Sequence, residues 1–144
     1  MRFSFLLLPL FFLGLIIVSC KSPDGGSDSS DNSTTWSGTQ QLGTSSGEVG
    51  YGVTVDSSDN IYVTGYTYAL DGNSSSGGYD LFVVKYNSSG TKQWTKQLGS
   101  SSSDYAKGVA VDSSGNVYAA GSTRGGLDGN SNAGGSDLFV VKYN

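Results

Sequence analysis

An eight-residue sequence, DLFVVKYN, occurs twice in this chain, at residues 80–87 and again at residues 137–144. The sequence LDGNS also occurs twice, at residues 70–74 and 127–131, and both pairs are 57 residues apart. A repeat of this length is typical of one supersecondary unit per copy, which buries its faces only when it stacks on a neighbour. The chain is therefore predicted to fold as a short array of similar units.

The composition limits the chemistry that the chain can perform. Its 144 residues include 12 acidic and 8 basic side chains, a net charge of −4, so no basic surface is predicted and no nucleic-acid partner is expected. There is no histidine and one cysteine, which excludes an ordinary hydrolase triad, a disulfide within the chain and a thiolate zinc site. These counts favour a binding or structural role, and we predict that the protein is not an enzyme.

The amino terminus has the pattern of an export signal. Arg2 is followed by an almost unbroken apolar run over residues 3–18, and residues 1–19 are predicted to be a signal peptide. The alternative is an uncleaved membrane anchor. It is disfavoured because the run is shorter than the ~20 residues of a spanning helix and because Pro9 interrupts it.

The end of the apolar run contains the only cysteine of the chain. The sequence of residues 17–20, Ile-Val-Ser-Cys, resembles the bacterial lipobox, which implies lipid attachment to Cys20 and cleavage before it. Lipid on Cys20 would anchor the protein to a membrane without spanning it. The alternative is a free cysteine beside an ordinary cleavage site.

Residues 20–35 carry no large apolar side chain and are predicted to be a disordered tether after the lipidated cysteine. Lys21 follows the cysteine, in place of the aspartate that retains enteric lipoproteins at the inner membrane. By that analogy the protein is expected to be exported and anchored to the cell envelope, at the outer membrane or the cell surface.

Short β-like segments separated by Gly, Ser, Asn and Asp clusters follow the tether and predict an all-β fold. They are residues 50–56, 61–66, 80–87 and 94–98 in the first copy, and residues 107–112, 117–122 and 137–144 in the second. The third segment is apolar on both faces over residues 81–84, which is typical of a blade packed between other blades.

An earlier copy of the fourth segment precedes the first full unit, at residues 36–42. Trp36 and Leu42 match Trp94 and Leu98, with two more residues between them. The fold class predicted for residues 36–144 is thus an incomplete β-propeller: a fourth strand, one four-stranded blade-like unit, and a second unit that lacks its own fourth strand.

Four motifs of the repeat resemble a known family. They are DSSGNVY from Asp112, DLFVVKYN from Asp80, SGTKQW from Ser89 and WTKQLG from Trp94. Taken together over residues 36–144, they resemble the bacterial β-propeller repeat family called SBBP. The resemblance implies a secreted or surface protein, in some members a lipoprotein, with no catalytic signature in the repeat.

Two repeats are fewer than the 4 to 8 blades of a propeller. Three interpretations follow: a fragment of a longer propeller, closure between chains through residues 36–42 with three or four chains in a ring, or a small two-sheet sandwich. We predict a cell-envelope lipoprotein that displays its repeats for binding or scaffolding; the sequence does not identify its ligand, whether an extracellular protein or a glycan. The alternative is a truncated fragment of a larger propeller enzyme, of the hydrolase, lyase or quinone-dependent dehydrogenase type.

Oxygen-rich loops are the candidate metal sites, since hard cations such as calcium take oxygen ligands. The candidate ligands are Asp71, Asn73, Asp80, Asp128, Asn130 and Asp137. The alternative is structural: Asp-Gly-Asn forms a tight turn in which Asp and Asn side chains bond to their own backbone. We expect no cofactor other than a possible calcium ion at these loops.

Six tyrosines are candidate ligand contacts, because aromatic side chains are favoured in recognition. They are Tyr51, Tyr62, Tyr66, Tyr68, Tyr79 and Tyr105. The alternative is that they fill contacts between blades, with the hydroxyl at the rim. Asp56 and Asp112 have the residue type of general acids, but their place after a strand favours a turn role.

Overall fold

The structure is a computed structural model that describes residues 36–144, and seven β-strands form its regular elements. The strands are β1 (Val49–Val55), β2 (Ile61–Thr67), β3 (Asp80–Tyr86), β4 (Lys92–Leu98), β5 (Asp104–Val111), β6 (Val117–Thr123) and β7 (Asp137–Tyr143). The all-β prediction is confirmed, and the predicted segments coincide with strands. No helix within residues 36–144 is long and apolar enough to cross a membrane.

The strands form two antiparallel sheets in which each strand pairs with the next one along the chain. Sheet A has the order β1-β2-β3-β4 and sheet B the order β5-β6-β7. Both first strands carry a bulge, between Gly50 and Gly52 in β1 and between Ala106 and Gly108 in β5. The two repeats thus fold alike, as incomplete β-propeller repeats predict.

The hairpin turns use the backbone geometry that the sequence indicates. Asp59 in the β1–β2 turn and Gly115 in the β5–β6 turn are at equivalent positions and have φ values of 60° and 82°. Gly90, in the β3–β4 turn, has a φ of 77°. Asp is among the residues that tolerate this left-handed region best, which explains why the first repeat needs no glycine at position 59.

The main core lies between the sheets. The face of sheet A that contacts sheet B is called its front, and it contributes the buried side chains of Tyr62, Leu81 and Val83. The opposing face of sheet B is called its rear, and Phe139 and Ala119 are buried there. Burial of these apolar side chains on both sides of one interface makes each repeat depend on the other.

The rear of sheet A has a second, smaller core. Leu70, Phe82, Val84 and Tyr86 are buried there, and Leu42 packs against them. The Trp36 ring lies 6.1 Å from the Tyr86 ring, between centroids. The segment that precedes the first repeat therefore covers part of this face, as β4 covers part of the rear of sheet B.

The prediction that residues 36–42 form a fourth strand is wrong for the structure described. Trp36 donates one backbone bond, to Ser88 O at 3.3 Å, but residues 36–42 belong to no sheet. A strand forms only beside the free edge of another strand. Residues 36–42 match β4 in sequence, and β4 pairs with β3, so the edge that suits them is that of a third strand such as β7. Among residues 36–144, β7 itself has no strand on its outer side.

Candidate functional site

Five of the six candidate tyrosines lie together at the junction of the two sheets. We call them the tyrosine cluster: Tyr51, Tyr66, Tyr68, Tyr79 and Tyr105. Tyr51 and Tyr68 are among the exposed large aromatic side chains of residues 36–144. The cluster is therefore a contiguous aromatic surface that solvent can reach.

Tyr66 is the centre of the cluster. Its ring lies 4.7 Å from that of Tyr79 and 5.0 Å from that of Tyr105, with interplanar angles of 66° and 88°. The Tyr68 ring lies 4.2 Å from that of Tyr79, and the Tyr51 ring 5.6 Å from that of Tyr66. Edge-to-face pairs at such distances are the favoured arrangement of aromatic rings, so the tyrosines hold one another in place.

Two connections bring the tyrosines to one end of the sheets. The β2–β3 loop carries Tyr68 and Tyr79, and it runs beside the β4–β5 connection. Backbone bonds join the two: Gly78 N donates to Ser102 O at 3.2 Å, and Asp104 N donates to Tyr79 O at 2.6 Å. These bonds fix Tyr79 against the strand that carries Tyr105.

Lys107 adds a positive charge to the aromatic surface. Its Nζ lies 3.5 Å from the centroid of the Tyr51 ring and 5.6 Å from that of Tyr105, within reach of a cation–π interaction. Its hydrogen bond and charge lower the pKa of Tyr51, whereas the neighbouring Tyr68 raises the pKa of Tyr79. Sequence reasoning missed Lys107, because only the packing of the two sheets brings it to Tyr51.

The second repeat shows that the strands and turns of a repeat form without these tyrosines. At the positions of Tyr51, Tyr66, Tyr68 and Tyr79 it has Lys107, Ser122, Arg124 and Ser136. The second repeat nevertheless forms the corresponding bulge, strand and loop. Because neither strand geometry nor turn geometry needs an aromatic residue at these positions, the tyrosines of the first repeat serve contacts outside their own repeat, either with Tyr105 of the other sheet or with a ligand.

Tyr62 lies apart from the cluster. It is buried in the core between the sheets, with its ring 6.0 Å from that of Trp94. Its hydroxyl donates to Asp56 Oδ2 at 3.0 Å. The alternative interpretation, a tyrosine that fills a contact between blades, is thus the right one for this residue.

The Asp-Gly-Asn segments are tight turns. Asp71 and Asp128 have φ values of 56° and 52°, and the glycine after each also has a positive φ, as in a type I′ turn. Asn73 donates from Nδ2 to Leu70 O at 2.8 Å, and Asn130 donates to its own turn in the same way at 2.9 Å. Asp71 also pairs with the Lys92 ammonium.

The aspartates that begin the third strands brace the same loops. Asp80 is buried, and its Oδ2 accepts from Ser76 N and from Gln97 Nε2, both at 3.0 Å. Asp137 Oδ2 accepts from Ala133 N at 2.7 Å. Within residues 36–144 no three acidic, cysteine or histidine side chains come together as a metal-binding group. The contacts favour the structural alternative, and calcium binding stays a prediction.

Asp56 and Asp112 close the first turn of each repeat. Asp112 accepts from Asn116 Nδ2 at 2.8 Å and from the Tyr118 hydroxyl at 3.0 Å, and these bonds lower its pKa to about 2. Although partial burial raises the pKa of Asp56, the equivalent bonds lower it to about 2. A carboxyl group with this pKa is ionised at neutral pH and has no proton to give, which favours the turn role over a general acid.

Glu48 and Asp104 are at equivalent positions of the two repeats, and the sequence reasoning missed both. Each accepts a backbone N–H from the residue four positions earlier, Thr44 at 3.0 Å and Ser100 at 2.6 Å. Their spacing after a Thr or Ser, at residues 44 and 100, is the signal that could have indicated them. They shape the connection that enters each repeat.

Two meander sheets packed face to face have the arrangement of neighbouring blades in a β-propeller. The sequence comparison agrees: the family described as SBBP, β-propeller repeat, matches residues 38–73 and 93–128, together half of the chain. The protein belongs to this family. No curated protein matches the chain. The predicted signal peptide, Cys20 and the tether lie outside the described residues.

Proposed function

We propose that the protein is an envelope-anchored scaffold that presents β-propeller repeats for binding, without catalysis, and that the tyrosine cluster is its contact surface. The observation that carries the proposal is the placement of the cluster. Four tyrosines of the first repeat, which the second repeat replaces with other residues, meet Tyr105 of the second repeat at one end of the two sheets, and two of the five are exposed. The family supplies the repeat scaffold on which this surface lies.

The geometry of the cluster fits a protein partner better than a glycan. The rings of Tyr66, Tyr79 and Tyr105 meet at 43° to 88°, so they do not form one flat platform on which a sugar ring could stack. Tyrosine offers a large rigid contact area at a low cost in conformational entropy, which is why it is enriched in protein-binding surfaces. The Lys107 ammonium provides a charged group beside that area.

Site-specific photocrosslinking of the full chain in the cell envelope tests the contact surface. The photoreactive residue p-benzoyl-phenylalanine replaces Tyr68, which is exposed, or Ser58 in the β1–β2 turn as control. Position 68 is expected to give a discrete, protease-sensitive adduct that position 58 does not give.

The second repeat supplies the matched variant for this experiment. Tyr79→Ser introduces the residue that the second repeat has at this position, so the sheets should be unaffected while the aromatic surface is broken. The adduct from position 68 is expected to disappear in this variant. An adduct that resists protease but is removed by glycosidases would show a glycan ligand. Equal labelling from positions 68 and 58, or an adduct that survives Tyr79→Ser, would refute the proposed surface.

Attachment of the scaffold to the envelope is proposed to occur through lipid on Cys20. The support is the sequence of residues 17–20 and the polar tether that follows. Cells that express the full chain are grown with labelled palmitate. The label should enter the wild-type protein, and it should enter the Ser19→Ala variant, which keeps a small residue before the cysteine. Cys20→Ala should abolish the label, and continued labelling of Cys20→Ala would exclude this anchor.

A further inference from the structure

The front of sheet B is an apolar face that is exposed in the described chain. Leu138 and Val140 lie on it with exposed fractions of 83% and 64%. The residues at the same repeat positions in sheet A are Leu81 and Val83, and each is 0% exposed because sheet B covers them. The second repeat thus presents the surface that the first repeat buries against its neighbour.

The outer edge of sheet B lacks the strand that completes sheet A. In sheet A, Gln97 of β4 ties that strand to the loop beside it: its Oε1 accepts from Leu70 N at 3.1 Å and its Nε2 donates to Asp80 Oδ2 at 3.0 Å. The counterparts of these two partners, Leu127 and Asp137, line an open cavity of about 450 Å³ beside β7. Among residues 36–144 no strand fills this position.

The opposite end of the array carries the complementary parts. Residues 39–42 have the sequence TQQL, against TKQL at residues 95–98 of β4, so Gln41 corresponds to Gln97. This segment already lies on the rear of sheet A, where Leu42 packs against the second core. On the same face of sheet A, Val53 is exposed, whereas its counterpart Val109 packs in the core between the sheets.

We propose that the front of sheet B binds the rear of sheet A of a second copy of this chain, and that the second copy's residues 36–42 pair with β7 as its fourth strand. The interface repeats the one that joins sheets A and B within the chain. Because residues 36–42 already lie on the rear of sheet A, association requires only that this segment become extended beside β7, while both sheets keep their structure.

Such an interface is head-to-tail, because two different surfaces meet in it. Each added copy presents a free front of sheet B again, so the assembly grows until it closes into a ring or continues as a filament. Propellers close with 4 to 8 blades, so two to four copies of two blades each satisfy this range. Closure also removes the exposed edge of β7, which would otherwise invite aggregation.

The register of the new strand pair follows from the β3–β4 pair. Leu81 pairs with Leu98 there, so Leu138 of one copy is placed opposite Leu42 of the next. Directly paired residues of antiparallel strands have Cα atoms about 4.5 to 5.5 Å apart, a separation that a disulfide spans. Within one chain both sheets lie between Leu42, on the rear of sheet A, and Leu138, on the front of sheet B.

Disulfide trapping in the full chain tests the proposal. The chain carries Leu42→Cys and Leu138→Cys together in a Cys20→Ser background, which removes the native thiol, and the two single variants in the same background are the controls. Under mild oxidation, non-reducing gels are expected to show a ladder of covalent multimers for the double variant that ends at the ring size. Each single variant has no thiol opposite its own in the proposed interface and should stay largely monomeric, so that even a ring of two copies differs from it.

Val140→Asp in the double-cysteine background separates specific docking from random collision. Val140 is exposed in the single chain, so the circular dichroism of the Val140→Asp variant should equal that of its parent. In the proposed interface, however, the new charge would be buried. The ladder is expected to fall at least about tenfold. A ladder that Val140→Asp leaves unchanged, a disulfide within one chain, or no multimer at all would each overturn the proposal. None of the three residues belongs to the tyrosine cluster, so such a failure leaves the proposed function untouched.

Discussion

Gly65 and Gly121 occupy one repeat position, opposite the bulge of the first strand. A Cβ at Gly121 would overlap the carbonyl oxygen of Tyr105, and one at Gly65 would overlap that of Val49. The backbone approaches these positions too closely for any side chain. The two glycines are therefore needed for the bulge, which in the first repeat leaves Tyr51 unpaired in the strand.

Gly121→Ala is expected to destabilise the fold by about 1 to 3 kcal/mol, the usual cost of forcing an extra group into packed structure. Urea denaturation followed by circular dichroism measures this difference. Gly108→Ala is the matched control, since a Cβ there meets no atom within 4 Å and adds no strain. Equal denaturation midpoints for the two variants would show that the strands move apart freely at this position.

Asp112 should make stability depend on pH in a defined window. Its pKa is lowered to about 2 in the folded chain, from an ordinary value of about 3.9. The unfolded chain therefore binds the proton first as pH falls, so the stabilisation is complete above pH 4 or so and is lost toward pH 2. Asp112→Asn should be less stable than wild type at pH 7, and the difference should shrink between about pH 4 and 2.

Thermal melts of wild type and Asp112→Asn at pH 7, 4 and 2.5 measure this dependence. Ser113→Ala changes the same turn without touching the carboxylate and serves as the control, for which the difference from wild type should not vary with pH. A constant difference for Asp112→Asn over the whole range would mean that the bonds from Asn116 and Tyr118 do not favour the ionised form.

At the scale of the strands, the sequence predicted most of what the structure contains. Alternating apolar residues and Gly, Asn and Asp turns act over a few neighbours, so β2, β3 and β4 were found within about two residues. The failure concerns residues 36–42. Their sequence matches a strand, but strand formation depends on a partner edge, which is a property of the assembly and not of the segment.

The tyrosine cluster marks the other limit of prediction from sequence. The sequence named Tyr66 and Tyr105 as candidates, but it could not separate them from Tyr62, which is buried in the core. Tyr66 and Tyr105 are 39 residues apart along the chain, and they meet only because the two sheets pack in one particular register. Contacts of this kind depend on tertiary packing, on which local periodicity carries no information.

Trp94 of β4 links one sheet to the next. Its ring packs against the core between the sheets, 6.0 Å from that of Tyr62. Trp94→Ala should cost about 3 kcal/mol, the lower end of the range for large aromatic residues because the ring is only half-buried. Denaturation followed by circular dichroism measures the loss, with Trp94→Phe as a milder control. An unchanged midpoint for Trp94→Ala would count against packing between blades at this residue.

At the scale of the whole molecule, one leucine of the repeat exists in two environments. Leu81 and Leu138 have the same neighbours in sequence and the same place in their strands, but Leu81 is fully buried and Leu138 is exposed. The difference comes only from the presence of a sheet in front of Leu81. The pair therefore measures what a neighbouring repeat contributes, free of differences in residue type or strand geometry.

Leu81→Ala is expected to cost about 2 to 5 kcal/mol at every chain concentration, because its neighbour lies in the same chain. Leu138→Ala should stay within about 0.5 kcal/mol in dilute solution, where that side chain faces solvent. If copies associate through the front of sheet B, the cost of Leu138→Ala rises with chain concentration, since assembly stabilises only the folded form. Denaturation of both variants over a range of concentrations distinguishes these cases. A cost for Leu138→Ala that stays small and constant would mean that the second repeat is stable with its front face in water.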